Sequence, residues 1–93
     1  MIKSFADKET EKIFQRNYSK KIPEEIQRRA YRKLLQIDLM TDLEELRSPP
    51  GNRLEKLKGD REGQHSIRIN QQWRICFEWK EGDAFHVEIT DYH

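Results

Sequence analysis

Apolar residues in the first half of the chain recur at the spacing of an α-helix. Four of them lie at positions i, i+4, i+8 and i+11: Ile26, Ala30, Leu34 and Ile37. This spacing places side chains on one side of a helix. Pro23 suits the first helical turn, and Glu24 and Glu25 complement the positive end of the helix dipole. The pattern predicts an amphipathic helix from about residue 23 to about residue 40.

Shorter elements are predicted on either side of this helix. Asp7 can cap a helix that begins directly after it, and Thr41 or Asp42 can cap one further helical turn. Residues 2–5 are short and apolar at both ends, which indicates a strand. Pro49, Pro50 and Gly51 end the helical region, and the chain is predicted to stay a loop as far as about residue 63.

From residue 65 onward the apolar positions alternate with polar ones, which is the period of a β-strand. Turns are predicted at Asn70-Gln71-Gln72 and at Glu81-Gly82-Asp83, so the segment is a three-stranded antiparallel meander. One face of the meander is predicted to be apolar and covered by the helices: Ile67, Trp73, Ile75, Phe77, Phe85 and Val87. The other face is polar and predicted to be open. The fold class is therefore a single α+β domain over residues 1–93. In it, an N-terminal strand and two helices pack on one face of a mainly antiparallel sheet.

Composition fits one small folded domain with a charge-dense surface. The 93 residues are 34% hydrophobic and 38% charged, yet the net charge is only +1 and aromatic residues make up 10%. Disordered chains usually combine low hydrophobicity with a high net charge and few aromatics. No apolar run is long enough for a membrane span, and the N-terminus lacks the apolar core of a secretory signal. The single cysteine, Cys76, excludes an intrachain disulfide, so a cytoplasmic location is expected.

The near-neutral total conceals a segregation of charge. Residues 47–74 contain seven basic and three acidic residues, a net charge of +4, whereas residues 75–93 contain one basic and five acidic residues, a net charge of −4. Residues 1–46 carry +1. A locally basic segment can attract phosphate groups even in a neutral protein. The alternative is a solvated surface whose charges pair with one another.

The predicted open face carries residues suited to phosphodiester chemistry. Arg68 and Arg74 lie on neighbouring strands, and the chain ends with Asp91-Tyr92-His93. A tyrosine and a histidine can transfer protons while arginines stabilise the charge on a phosphate. Alternatively, the two arginines pair with acidic residues across the strands and the last residues are a frayed terminus. No metal-binding motif is present, and no metal site is predicted.

Five segments of the chain resemble the HigB-type toxins of the RelE/ParE superfamily, the killer proteins of plasmid-maintenance systems. They are residues 1–5, 49–55, 57–63, 70–75 and 91–93. The most specific features are a G-D-R-x-G loop followed by W-R-I, combined with the terminal D-Y-H. The resemblance implies a RelE/ParE-like fold and a ribosome-dependent endonuclease that cuts mRNA in the ribosomal A site. Its chemistry would need neither a metal nor a cofactor.

The resemblance also implies roles for individual residues. His93 and Tyr92 would carry out the proton transfers, and Asp91 would support His93 or contact the base. Lys58 and Arg74 would stabilise the transition-state phosphate. Four further residues would contact RNA: Arg68, Arg53, Arg61 and Glu55. Some HigB toxins have a histidine where this chain has Glu55. Here Glu55 would act as a general base or as a salt-bridge partner. The difference predicts a weaker nuclease.

The expected partner of such a toxin is a HigA-type helix-turn-helix antitoxin, and the complex would bind operator DNA through the antitoxin. The ribosome and mRNA are the other expected partners, and no membrane is involved. Three alternatives remain at this point: a ParE-like toxin that inhibits DNA gyrase, a non-catalytic module that docks on an antitoxin, and a small regulatory domain that binds nucleic acid.

Overall fold

The computed structural model describes residues 1–91, whose elements follow the predicted order. Within these residues, two α-helices come first: α1, Lys8–Phe14, and α2, Glu24–Leu39. Four strands follow in the described chain: β1, Glu55–Lys56; β2, Gln64–Arg68; β3, Trp73–Lys80; and β4, Asp83–Asp91. Short 3₁₀ helices at Leu43–Arg47, Pro50–Asn52 and Gly59–Arg61 connect them. The predicted two-layer α+β fold is confirmed.

Helix α2 forms as its apolar spacing predicts. Its buried residues are Ile26, Ala30, Leu34 and Ile37. Pro23 occupies the N-cap, and both glutamates of the first turn lie at the positive end of the helix. The 3₁₀ helix that follows begins with a capping box, in which the Asp42 side chain accepts from the backbone N–H of Glu44 at 2.9 Å and Glu45 Oε2 accepts from the N–H of Asp42 at 2.9 Å.

The short helix α1 depends on a cap and on the sheet. The Asp7 side chain accepts from the backbone N–H of Thr10 at 2.6 Å, which satisfies one of the free donors at the helix start. The hydroxyl oxygen of Thr10, which is fully buried, accepts from the N–H of Ile89 on β4 at 2.9 Å. A seven-residue helix is too short to be stable alone, so this contact with β4 helps to hold it in place.

The sheet has the order β1-β2-β3-β4 and is antiparallel throughout these strands. The predicted meander is confirmed as β2, β3 and β4. Strand β1 lies in the segment predicted to be a loop, where Glu55 pairs with Ser66 and Lys56 with His65. Both β1 residues are charged and exposed, so no apolar alternation marked it.

The N-terminal segment lies along the free edge of β4. Isolated parallel bridges join Ile2 to Ala84 and Phe5 to Val87. Backbone hydrogen bonds reinforce them, including one from the N–H of Lys3 to the carbonyl of Ala84 at 2.7 Å. The segment predicted to be a strand therefore covers a sheet edge, a position that would otherwise invite pairing with another chain.

One prediction about the sheet faces is wrong. A β-bulge interrupts the β3–β4 ladder, so that Cys76 pairs with Glu88 but Glu78 pairs with Phe85. His86, with a φ of 54°, is the residue beside this irregularity that has a left-handed backbone conformation. The extra residue changes the alternation, as bulges do. Phe85 therefore lies on the polar face with Glu78, and Ala84 takes the fully buried position that was expected for Phe85.

The core fills the space between the helices and the other face of the sheet. Its fully buried side chains come from both layers: Leu34, Ile37, Leu46, Ile67, Ile75, Phe77 and Val87. Trp73, as predicted, and Trp79 pack against this cluster. Within residues 1–91, no helix combines the length and the apolar character that crossing a bilayer requires.

Candidate active site on the polar sheet face

The polar face of the sheet, opposite the helices, is the face that carries Ser66, Arg68, Arg74 and Cys76. Arg68 on β2 lies directly opposite Arg74 on β3 in the strand register. Like charges in this position repel each other and destabilise a sheet. The register therefore places two guanidinium groups on neighbouring strands of the polar face.

Arg74 is held in place by its surroundings. Its side chain is only 7% exposed. Its Nε donates to the Ser66 hydroxyl oxygen at 2.8 Å, and one Nη donates to the backbone carbonyl of Arg53 at 2.7 Å. A guanidinium group has its N–H donors in a rigid planar fork, so these two contacts fix the orientation of the whole group.

Local backbone geometry positions the neighbours of Arg74. Arg53 has a left-handed backbone conformation, with φ 46° and ψ 58°, at the end of the 3₁₀ helix Pro50–Asn52. In the β2–β3 turn, the side-chain oxygen of Asn70 accepts from the N–H groups of Gln72 and Trp73 at 2.8 and 2.7 Å. The backbone carbonyl of the same Asn70 accepts from Nε of Arg68 at 3.0 Å. The predicted turn therefore also orients an arginine.

On this face lies a cavity of about 360 Å³, which we call the basic cleft. It is lined by Arg53, Glu55, Arg68, Asn70, Gln71 and Arg74. Of the nine predicted site residues, the structure brings four together here: Arg53, Glu55, Arg68 and Arg74. Glu55 comes from β1, the strand that the sequence pattern did not reveal.

The acidic residues on the polar face pair with other cations. The carboxylate of Glu78 forms a hydrogen bond of 2.7 Å with Nδ1 of His86 and lies 3.7 Å from Nζ of Lys80. The hydrogen bond to His86 lowers the pKa of the Glu78 carboxyl. Glu88 lies 3.1 Å from Nη1 of Arg61. These pairings differ from the alternative in which Glu78 and Glu88 neutralise Arg68 and Arg74.

The sequence predicted that the polar face is open. The structure shows that one end of it is covered, because the loop after β1 crosses it. Arg61 donates through Nη1 to Gln64 at 3.0 Å and to Glu88 at 3.1 Å. Beneath it, Cys76 is fully buried and Leu57 is nearly so. Burial raises the pKa of the Cys76 thiol. We call this region the covered end; it contains Leu57, Arg61, Gln64, Cys76 and Glu88.

Of the other predicted site residues that the structure describes, Lys58, Arg61 and Asp91, none lines the basic cleft. Lys58 is exposed at the start of the loop that crosses the covered end. Asp91 pairs with Trp73 in the strand register and accepts from Nε2 of Gln72 at 2.9 Å. It ends β4 at the same end of the sheet as Arg68 and Arg74. Tyr92 and His93 lie outside the described residues.

The family of this chain is decided by a match along almost its whole length. A model of the HigB-like toxins, described as RelE-like toxins of type II toxin–antitoxin systems, matches residues 3–93. The chain belongs to the HigB-like toxin family. This confirms the resemblance seen in the sequence.

Curated relatives support the assignment to the HigB family over the whole chain. Toxin HigB-1 of Vibrio cholerae serotype O1 is 38% identical over 93 residues, which cover 99% of this chain and 98% of the relative. Endoribonuclease HigB of Proteus vulgaris is also 38% identical over 93 residues, which cover 100% of both chains.

A solved structure of similar fold is the YoeB–YefM complex from Staphylococcus aureus. It matches with a TM-score of 0.56 and 20% sequence identity, covering 100% of this chain and 98% of that chain. At this identity the likeness shows the fold alone, and it agrees with the predicted RelE/ParE-like architecture.

Sequence reasoning missed part of the cationic surface of this HigB-family toxin. Arg29 and Lys33 of α2 lie beside the basic cleft, and neither was among the predicted site residues. Asn52 is fully buried, accepts from Nζ of Lys33, and donates to the carbonyl of Leu46 at 3.0 Å. A polar residue directly after Pro-Pro-Gly gave no signal of such burial. Among residues 1–91, no three His, Cys, Asp or Glu side chains cluster closely enough to hold a metal ion.

Proposed function

We propose that this HigB-family toxin is a ribosome-dependent endoribonuclease that cuts mRNA in the A site and thereby stops translation. The observation that carries the proposal is the pair of arginines that lie opposite each other on the polar sheet face, with Arg74 almost completely buried and fixed by its hydrogen bonds to Ser66 and to the carbonyl of Arg53. Preorganised cations of this kind stabilise charge that develops on a phosphate in the transition state.

In the proposed reaction the RNA supplies its own nucleophile. A general base removes the proton from a ribose 2′-OH, and the oxygen attacks the adjacent phosphorus. The bond from phosphorus to the 5′ oxygen breaks as a general acid protonates that oxygen, leaving a 2′,3′-cyclic phosphate and a 5′-hydroxyl. His93 and Tyr92 perform the two proton transfers, and Asp91 supports His93 or contacts the base. The reaction as written needs no metal.

The cations of the site have separate tasks in this proposal. Arg74 and Lys58 stabilise the transition-state phosphate, while Arg68, Arg53 and Arg61 bind the RNA strand. Support for Arg53 and Arg68 comes from their position in the basic cleft beside Arg74. Glu55 lines the same cleft and contacts RNA where some relatives have a histidine, so we expect slower cleavage than in those relatives.

Membership of the HigB-like family supports the proposed cellular setting. Toxins of type II systems act opposite an antitoxin, and for this chain we propose a HigA-type helix-turn-helix protein that also connects the complex to operator DNA. The ribosome and mRNA are the proposed targets, and the cytoplasm is the proposed location. The name of the Proteus vulgaris relative, an endoribonuclease, supports the reaction type.

Primer extension on a translated mRNA after induction of the toxin tests the proposal. We expect discrete cuts at codons in the A site, and we expect His93→Ala and Tyr92→Ala proteins to lose them. Purified toxin should still cut mRNA when a chelator of divalent ions is present, under conditions in which the ribosomes stay intact.

The same experiment can contradict the proposal. If both variants cut as fast as the wild type, the assignment of His93 and Tyr92 is wrong. If induction stops DNA synthesis while mRNA and translation stay intact, the chain acts as a gyrase inhibitor instead. If it causes neither effect, a non-catalytic docking module and a small regulatory domain that binds nucleic acid remain.

A further inference from the structure

A second hollow lies beside the basic cleft, between α2 and the β2–β3 turn. It has a volume of about 440 Å³. Four residues line both surfaces: Arg53, Arg68, Asn70 and Gln71. The two hollows are therefore continuous. On the α2 side, the second hollow adds two cations, Arg29 and Lys33, which the proposed reaction does not use.

Arg29 and Lys33 are one helical turn apart, and each is anchored by a hydrogen bond to a neighbouring segment. Nη1 of Arg29 donates to the backbone carbonyl of Ile69 at 3.1 Å. Nζ of Lys33 donates to the side-chain oxygen of the buried Asn52. A guanidinium has five donors and an ammonium has three, so both groups are positioned while most of their donors still point elsewhere.

The charge of these two side chains is not neutralised within the described chain. Among the ion pairs of residues 1–91, none involves Arg29 or Lys33. Burial, and to a smaller extent the neighbouring Arg29, lowers the pKa of Lys33. Two cations i, i+4 apart on a helix repel each other. An anion in the hollow would remove this repulsion and take up the remaining donors.

We propose that Arg29 and Lys33 form a second phosphate subsite, which holds a backbone phosphate of the RNA strand adjacent to the one bound by Arg68 and Arg74. The inference rests on the proposed RNA cleavage. An RNA strand suits the surface because it presents phosphates in series, and the amides of Asn70 and Gln71 between the two subsites can bond sugar or base groups. The role of the second phosphate subsite is to bind and align the RNA strand.

Binding of a fluorescent single-stranded RNA octamer, measured by anisotropy at several salt concentrations, tests this subsite. Each phosphate that a protein neutralises on a single strand adds about 0.7 to the slope of log K against log salt. We expect the double variant Arg29→Gln/Lys33→Gln to reduce the slope by about this amount, because the two residues hold one phosphate, and each single variant to weaken binding and to reduce the slope by a smaller amount. Lys33→Arg should retain the slope because it keeps the charge and the donor to Asn52.

A matched control is available on the same helix. Arg32 is exposed and lines neither hollow, so Arg32→Gln should bind RNA with the wild-type slope. In ribosome-dependent cleavage, Arg29→Gln and Lys33→Gln should raise KM and leave kcat near the wild-type value. Melting temperatures of all variants distinguish weaker RNA binding by a folded protein from unfolding of the variant.

The outcomes distinguish this inference from the proposed function. If Arg29→Gln and Lys33→Gln bind RNA like the wild type while Arg68→Gln binds more weakly, the second subsite is wrong and RNA cleavage stands. If the wild type neither binds the octamer nor cuts mRNA, both fall. If the two α2 variants lose antitoxin binding but keep RNA binding, the hollow holds an acidic segment of the antitoxin, and the phosphate subsite is overturned.

Discussion

The covered end and the basic cleft lie on the same face of one sheet and share strands β2 and β3. At the covered end, Arg61 reaches from its loop to Glu88, and the two side chains, 32% and 31% exposed, form an ion pair above the buried Cys76. In the basic cleft, Arg68 lies opposite Arg74, and among residues 1–91 the lining includes one carboxylate, that of Glu55. The covered end therefore contains one arginine, which forms an ion pair with a carboxylate of the sheet, whereas the basic cleft is lined by three arginines, two of which lie opposite each other in the strand register.

The difference separates an arginine used in an ion pair from arginines that line a cleft open to a ligand. The paired arginine at the covered end holds a loop to the sheet. Arginines that face each other cost stability, and a fold retains such an arrangement at functional sites more often than elsewhere. Net charge by segment located the basic residues, but the side-chain pairing is what distinguishes their two uses.

The largest effect is expected at Arg74. Arg74→Ala should lower the rate of mRNA cleavage by about 10²- to 10³-fold, because it removes a fixed donor to the transition-state phosphate. It should also lower the free energy of unfolding by about 1–3 kcal/mol, because the Arg53 carbonyl and Ser66 lose a partner. Single-turnover cleavage and chemical denaturation measure the two effects.

Arg74→Lys is the matched variant for this prediction. It keeps the charge but not the fork that contacts Ser66 and Arg53, so its cleavage rate should fall between those of the wild type and Arg74→Ala. A folded Arg74→Ala protein that cuts mRNA at the wild-type rate would remove the basic cleft from the mechanism.

A smaller effect is expected at the covered end. A double-mutant cycle with Arg61→Gln and Glu88→Gln should give a coupling energy below about 1 kcal/mol, because both side chains are partly solvated. Each single variant should also speed the labelling of Cys76 by a thiol reagent, since the loop above it is released.

The same variants test the RNA-binding role predicted for Arg61. If Arg61 binds RNA only after leaving Glu88, then Glu88→Gln should strengthen binding of the RNA octamer. Unchanged RNA affinity in both variants would limit Arg61 to holding the loop. Unchanged stability and labelling would show instead that the ion pair contributes nothing to the covered end.

The smallest effect concerns His65 on β2, the strand that serves both regions. Burial, and the neighbouring Lys56, lower the pKa of His65 below its ordinary value of 6.5. The unfolded chain then binds this proton more readily than the folded protein does. The His65 contribution to the free energy of unfolding is fully present above pH 6.5 and is lost as the pH falls below that value.

Denaturation of the wild type and of His65→Gln between about pH 5 and 8 measures this contribution. The wild type should lose more stability than the variant below about pH 6.5, and the two curves should run parallel above it. Glu78, whose pKa is lowered from 4.5 by the His86 hydrogen bond, titrates below this pH range and does not contribute to the difference. Equal pH dependence of the two proteins would show that His65 is as solvated as in the unfolded chain.

Elements with a strong local signal were predicted correctly. The helix α2 and the β2–β3–β4 meander follow from residue spacing, because burial of one face requires a period of about 3.6 in a helix and of two in a strand. The cap at Asp7 and the turn at Asn70 follow from side chains that bond their own backbone.

Other features had no local signal. Strand β1 consists of two exposed charged residues that are strand only because β2 supplies their hydrogen bonds. The bulge beside His86 moved Phe85 to the polar face, since one extra residue reverses the facing of the positions beyond it in a strand. Neither strand β1 nor the bulge can be predicted from the residues adjacent in the sequence alone.

The sequence by itself determined the two layers of this protein, the opposite faces of its meander, its basic middle segment and its HigB-type motifs. Only the tertiary structure decided which cations meet. The arginines of the basic cleft come together with Arg29 and Lys33 because three segments converge at one end of the sheet: α2, the segment before β1, and the β2–β3 turn. Arg61, in the loop after β1, instead forms an ion pair with Glu88. Pairing depends on distances of a few ångströms between segments far apart in the chain, and residue spacing along the sequence does not specify those distances.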